Sequence, residues 1–353
     1  MEYKQLLNEL VETVIKQNGS DLHLSEGRHP TIRVAGELIP LMQRPVLTRE
    51  DTDGLLSALL SDGQNDLFRK NQELDFAYPH NDGNRFRGNA FIQQAHIGIV
   101  MRLIPRTIKT LQELGLPPIL ETFARKEQGF FLIVGPVGQG KTTTLAAMIE
   151  MINQEKAAHI ITIENPIEYI YEQKKSIIDQ REVGIDTKDF HTALLGTFRQ
   201  DVDVILVGEM RGTDTISAAV TAAETGHLVL STLHTNNASQ TIDRIIDSFS
   251  AEQQDQIRIQ LAGSLIGVFS QRLVPRISGG LIPAYELLIT TNAVKNLIRE
   301  KRTHEIDTVI ETGMEHGMID MNRSLAELVR KGEITVEDAY RYSLRPKILE
   351  KLM

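Results

Sequence analysis

The sequence predicts an α/β protein: a small N-terminal α+β domain, then a larger domain built on a parallel sheet, ending in a helical region. Three observations carry this prediction. DLHLS, PTIRVAGELIP, RFRGNAFIQQ and HIGIVMRLIP are short, β-leaning segments bounded by Gly, Pro and Asn, as in a small sheet. FFLIV, HIITI, DVILVG and LVLST are near-continuous apolar runs separated by helical stretches, the pattern of parallel strands buried on both faces. From about residue 291 the chain becomes mostly helical and charged. With 353 residues, 41% of them hydrophobic, it is long enough for more than one core.

Taken in order, residues 2–17 form an amphipathic helix, because Leu6, Leu7, Leu10, Val11, Val14 and Ile15 recur at helical spacing. A Leu-rich helix is expected at roughly 48–60. Gly115, Pro117 and Pro118 punctuate 106–118 as a linker. The expected organisation is an N-terminal domain over 1–105, the linker 106–118, an α/β core over 119–290 and a helical region over 291–353.

Composition narrows the function. A net charge of −9 argues against sequence-independent DNA or RNA binding, which rests on a basic footprint. Trp is absent and aromatic residues make up 5%, so stacking platforms for single strands are not expected. With no Cys there are no disulfides and no thiolate metal sites, which suits a reducing cytoplasm. The charged N-terminus is unlike a signal peptide, and no stretch approaches the ~20 apolar residues of a membrane span, so no direct membrane insertion is expected.

GPVGQGKT, residues 135–142, matches G-x-x-x-x-G-K-[ST] with a strand before it and a helix after it. Gly135, Gly138 and Gly140 let the backbone turn tightly and approach phosphates. The N–H groups of Pro136-Val137-Gly138-Gln139-Gly140 onward, Pro excepted, and the helix N-terminus with Thr142 and Thr143 then face the negative charge. Lys141 reaches the β- and γ-phosphates, and Thr142 is placed to ligate Mg²⁺. The chain is therefore expected to bind ATP or GTP.

Two carboxylates follow buried strands. DVDVILVGEMRG ends its apolar run at Glu209, where a Walker B acid acts on Mg²⁺ through water. ITIENPIEY ends its run at Glu164, with Glu168 close behind, and a carboxylate at a strand's C-terminal edge opens into the ligand crevice of an α/β sheet. Glu164 is thus the candidate to orient and deprotonate water. Alone, each acid reads as a solvated loop residue; two of them, each after a buried strand of a phosphate-loop domain, reverse that reading. In HLVLSTLHT, His227 and His234 stand seven residues apart, ~23 Å along a strand, too far to share a metal. His234 is the candidate sensor of the γ-phosphate.

In this order the segments resemble the ATPases of type II/IV secretion systems, and within them the retraction-type ATPases of type IV pili. The boxes are GPVGQGKTTT, ITIENPIEY, DVILVGEMR and TGHLVLSTLHT, and the resemblance covers nearly the whole chain. AVKNLIRE, 293–300, resembles the retraction signature AIRNLIRE. The chain departs from the family pattern at Asn165, where an Asp is usual, at Val202 and Gly212 for Pro and Asp, at Gly196 for Arg, and at Val137 and Gln139 for small polar residues. Glu164 stays in place, so hydrolysis is still expected.

The resemblance implies a PAS-like N-terminal domain, a RecA-like core and a homo-hexameric ring that binds ATP with Mg²⁺. It implies that Arg87 and Arg102 face the nucleotide as arginine fingers do; without it, both read as strand-surface ion pairs. It further implies a cytoplasmic motor, peripheral at the inner-membrane pilus base, that engages a membrane platform protein and powers pilus disassembly. Extension and type II secretion ATPases are the alternative within the superfamily, but the usual extra N-terminal region and four-cysteine zinc segment are missing. A small-molecule phosphoryl transferase lacks a discernible acceptor site, a nucleic-acid translocase conflicts with the acidic balance, and Asn165 keeps open a nucleotide-gated scaffold with weak hydrolysis.

Overall fold

The computed structural model describes residues 2–34, 36–81, 83–104, 107–210 and 212–353. The domain boundary expected at 105/106 falls outside the described residues, as does Arg211 of the second acidic box. The chain divides into two compact units, one of Met1–Thr107 with Glu168–Ile170, the other of Ile108–Ile167 with Tyr171–Met353.

The first unit opens with helix α1 (Glu2–Lys16), whose buried Leu7, Leu10, Val11 and Val14 fall on one face as the sequence spacing demands. Strands β1 (Asp21–Ser25), β2 (Thr31–Val34) and β3 (Glu37–Pro40) follow, then helices α2 (Arg49–Leu59) and α3 (Asp62–Asn71), then strands β4 (Glu73–Pro79), β5 (Arg85–Gln93) and β6 (His96–Ile104). Reciprocal capping boxes, Thr48 with Asp51 and Ser61 with Gln64, start α2 and α3. The strands form one antiparallel sheet in the order β3-β2-β1-β6-β5-β4. PTIRVAGELIP, read from sequence as one segment, is a strand pair, while α3 and β4 carried too little apolar periodicity to be read.

The second unit contains α4 (Ile119–Ala124), β7 (Gly129–Val134), α5 (Lys141–Glu155), β8 (His159–Glu164), β9 (Ile177–Glu182), α6 (Phe190–Thr197), β10 (Val204–Val207), α7 (Thr213–Glu224), β11 (Leu228–Leu233), α8 (Ala238–Asp247), α9 (Ala251–Ser264), β12 (Leu265–Pro275) and β13 (Leu281–Ile289). Helices α10 (Asn292–Arg299), α11 (Ile306–Thr312), α12 (Met321–Arg330), α13 (Val336–Tyr342) and α14 (Pro346–Leu352) complete it. The sheet order is β13-β12-β7-β11-β10-β8-β9, parallel except for the antiparallel β12–β13 hairpin at one edge.

Strands β7, β10 and β11 are buried along their whole length, which is why they read as unbroken apolar runs. Helices α7, α8 and α9 contribute Ala219, Ile242 and Leu261 to the core they share with Leu132 and Ile205. Helix α10 is capped by Thr291 and buries Val294, Leu297 and Ile298. Every parallel strand from β7 to β11 therefore ends at one edge of the sheet, and that edge carries the chemistry.

Candidate active site

The β7–α5 turn is a phosphate loop in conformation as well as in sequence. Gly138 (φ 77°) and Gly140 (φ 76°) occupy the left-handed region, where a side chain would be strained. Gly135 is excluded from carrying a side chain by contact, because a Cβ there would lie 2.4 Å from the Gln271 carbonyl oxygen. The loop delivers α5 so that Lys141, its first residue, turns back under the loop. Its Nζ donates to the carbonyl oxygens of Gly135 (2.9 Å) and Pro136 (2.8 Å). Lys141 is only 7% exposed, so the charge is fixed at the loop.

His234, just past β11, brings its Nδ1 to 3.2 Å from Lys141 Nζ and its Nε2 to 3.9 Å from Glu209 Oε2. The structure thus joins the loop lysine, the second acidic box and the histidine box in one row. Glu164 ends β8, buried at 6% exposure. Thr162 Oγ1 donates to its Oε1 at 2.6 Å, and Gln180 Nε2, on β9, donates to the same atom at 3.4 Å. Glu164 and Glu209 are kept close by Gly208, whose N–H donates to Ile163 O at 2.8 Å and where a Cβ would sit 3.5 Å from the Glu164 Cα. Asn165 leads into a cis bond to Pro166. His227, at the far end of β11, bonds through Nδ1 to Ala222 O and meets Phe198 edge-on, a packing role. No cluster of metal-ligating side chains occurs among the described residues.

Pro136 and Thr142 flank the turn, and Val137 and Gly138 form its exposed tip. Gln139 turns its side chain away from the tip, so that its Oε1 accepts from Leu273 N on β12 at 2.7 Å. Behind the loop lies a cavity of about 210 Å³ lined by Gly140, Thr143, Leu114, Leu116, Leu273 and Pro283, among others. Its wall is mixed, with Lys109, Glu113, Thr144 and Gln271 beside the apolar side chains.

Arg87 and Arg102 belong to the first unit. They are direct cross-strand partners on β5 and β6, and Asp21 on β1 pairs with Arg102 and with Arg33. Residues directly opposite share a face, so three guanidiniums line one row around Asp21. Arg102 Nε donates to Asp21 Oδ1 at 2.8 Å, and Arg33 Nε is 3.9 Å from Oδ2. Arg87 Nη1 donates to Glu168 Oε1 at 3.4 Å.

A family model described as type II/IV secretion system protein matches residues 2–342. The chain belongs to that family. Among its relatives, the type IV pilus retraction ATPase PilT of Pseudomonas aeruginosa is 44% identical over 333 residues, covering 94% of this chain and 96% of the relative. A twitching motility protein of Neisseria gonorrhoeae is 44% identical over 313 residues, covering 88% of this chain and 83% of the relative. The crystal structure of the pilus retraction motor PilT with bound ADP superposes with a TM-score of 0.91 at 44% identity, covering 98% of each chain. The mixed α/β architecture, a sheet domain followed by a larger α/β domain, is the one that this relative has.

Sequence reasoning on this secretion-system protein did not reach Gln271, Asp21 or Thr162. Thr162 could have been found: it lies two residues before Glu164 on the same strand, hence on the same face. Gln271 carried no local signal, since its partners are more than 120 residues away.

Proposed function

We propose that this chain is a motor ATPase that hydrolyses ATP to drive retraction of a type IV pilus, working as a homo-hexamer against a platform protein of the inner membrane. One observation carries the chemical part: Lys141, His234 and Glu209 form a continuous row beside the buried Glu164 at the edge where all the parallel strands end. The retraction part rests on 44% identity over nearly full length to a protein named for it. We read the first unit as PAS-like, the second as RecA-like, and the placement as cytoplasmic at the pilus base. Among the described residues no helix is long and apolar enough to cross a membrane.

The β- and γ-phosphates rest against the loop N–H groups and the N-terminus of α5, where the helix dipole favours negative charge. Lys141 then exchanges its bonds to Gly135 and Pro136 for phosphate oxygens. The cavity behind the loop, walled on one side by Leu114, Leu116 and Pro283, takes the base. Thr162 and Gln180 fix the plane of the Glu164 carboxylate, which orients a water in line with the γ-phosphorus and accepts its proton. The new P–O bond forms as the β–γ bridge breaks, leaving ADP and phosphate. The residues at hand suit Mg²⁺, since the Thr142 hydroxyl and the Glu209 carboxylate are hard oxygen donors and such ions keep several waters besides phosphates. When bound, that ion neutralises charge on the phosphates. His234, touching both Lys141 and Glu209, registers whether the γ-phosphate is present. Arg87 and Arg102, set in one row, supply guanidiniums to the phosphates of a neighbouring subunit.

Purified protein assayed for phosphate release tests this reading. Expected is Mg²⁺-dependent turnover of ATP by a species of hexameric mass; absence of turnover in a folded hexamer overturns the motor reading.

A further inference from the structure

Strand β7 ends where the phosphate loop begins, but its neighbour β12 does not. The β7–β12 ladder stops at Val134 opposite Ser270, and residues 271–275 of β12 run on behind the loop. The polar groups of that overhang have no strand to pair with on that side. They pair with the loop instead. Gln271 is 2% exposed and spans two parts of the phosphate-binding turn: its Nε2 donates to Gln139 O at 2.8 Å, and its Oε1 accepts from Thr144 Oγ1, on the first turn of α5, at 2.7 Å. Gln139 answers by accepting from Leu273 N at 2.7 Å. The cross-strand partner of Leu273 on β13 is Pro283, which has no N–H. Gly135 closes the arrangement, its Cα so near the Gln271 carbonyl that only glycine fits.

We propose that Gln271 is a positioning residue for nucleotide binding: through this reciprocal clasp with Gln139 and Thr144, the β12–β13 hairpin sets the curvature of the phosphate loop. The proposal rests on the nucleotide reading of the loop and adds to it the part of the fold that governs its grip. The loop's N–H groups converge on a phosphate only while the Gln139 carbonyl is held back against β12. The same hairpin runs by way of Thr290 and Thr291 directly into α10, so a shift of the hairpin is felt at the loop through a single buried amide.

The test compares wild type, Gln271→Met, Gln139→Ala and the double variant. Affinity for a fluorescent ADP analogue, ATP kinetics and thermal melting are measured on each. Gln271→Met keeps the volume and removes both side-chain bonds. Its ADP Kd and its KM for ATP are expected to rise about tenfold, the scale of one or two buried hydrogen bonds, with kcat within about twofold, because the cradle binds ground state and transition state alike. Gln139→Ala should move the same two constants, and the double variant should be little worse than Gln271→Met, since both act through one clasp. A purely structural role would lower the melting temperature and leave Kd and KM of the folded fraction unchanged. That result, or fully additive effects, overturns the proposal. Should Gln271→Met fail to fold, Gln271→Glu retains the acceptor for Thr144 but replaces the donor to Gln139 by an oxygen that repels its carbonyl, and its ADP Kd decides by the same criterion. Wild type that binds no ADP would instead defeat the nucleotide reading itself.

Discussion

Lys141 is buried at the phosphate loop, where its ammonium is held by the carbonyls of Gly135 and Pro136. Lys141→Ala is expected to abolish ATP turnover and weaken nucleotide binding at least tenfold, read by phosphate release and by titration with a fluorescent ADP analogue. Glu164→Gln keeps the shape and the bond from Thr162 but accepts no proton; it should bind ATP as wild type does and turn over less than about one-hundredth as fast, the usual scale of a lost general base. Normal turnover in Glu164→Gln, with turnover lost in Glu168→Gln, would move the base to Glu168.

A different acid, Glu286 on β13, accepts from Ala238 N at 2.9 Å, and burial pushes its carboxyl from the ordinary 4.5 up to about 7, with Asp320 adding repulsion. The folded chain therefore holds this proton more tightly than the unfolded chain. Its stabilising effect is complete below pH 4.5 and is lost as the pH rises through about 7. Glu286→Gln should melt measurably above wild type at pH 8, with the difference vanishing near pH 4.5. The loop lysine and both strand-end acids were legible because each sits at a fixed offset from an apolar strand. Glu286 and Gln271 were not, because nothing in their own neighbourhoods announces a partner so distant along the chain.

Helix α10 divides cleanly into two faces. Val294, Leu297 and Ile298 are buried, and Leu297→Ala should cost about 2–4 kcal/mol in chemical denaturation. Lys295 lines a groove of about 640 Å³ together with Arg125, Lys126 and His316, while Arg299 is exposed and donates to Asn296. The double replacement Lys295→Ala with Arg299→Ala should leave ATPase rate and assembly mass near wild type, since Arg299 is exposed, Lys295 is half-buried, and surface substitutions usually matter by less than about 0.5 kcal/mol. Twitching motility of cells that depend on this motor should nevertheless be lost, with pili still present. Normal twitching, or lost ATPase activity, would remove the role in coupling to load. At this scale the buried parallel strands were read readily, being apolar on both faces. The β12–β13 hairpin and β9 were missed, since LIGVFSQRLVP and IIDQRE interrupt their apolar positions with Gln, Arg and Asp that the fold spends on the loop, on Glu164 and on solvent.

For the molecule as a whole, the division into two units and the family relationship turn the two arginines into a question about assembly. Arg102 is held by Asp21 on the face it shares with Arg87, and neither belongs to the unit that carries Lys141. If they serve a neighbouring subunit's nucleotide, inactive Arg102→Ala subunits mixed with inactive Lys141→Ala subunits should regain a measurable part of wild-type turnover. Some interfaces in such a ring pair an intact lysine with an intact arginine. Mixed hexamers, verified by native mass, that recover nothing would place Arg102 in the fold of its own subunit. The net charge of −9 argues against a nucleic-acid translocase, but the motor reading came from the ordered boxes rather than from composition. The identity of the load was never readable this way, because it depends on a surface whose partner is another chain.

The bond from Leu273 N–H to Gln139 gives the clasp an isotopic readout. This amide lies past the end of β7, points to the loop side of β12 and away from β13, and is held by one side-chain oxygen. Its exchange with deuterated solvent therefore follows the opening of that single contact rather than the melting of the sheet. The slower amides of β7 beside it serve as an internal reference. Deuterium uptake at residue 273, followed with and without ADP, would time how often the hairpin lets go of the loop.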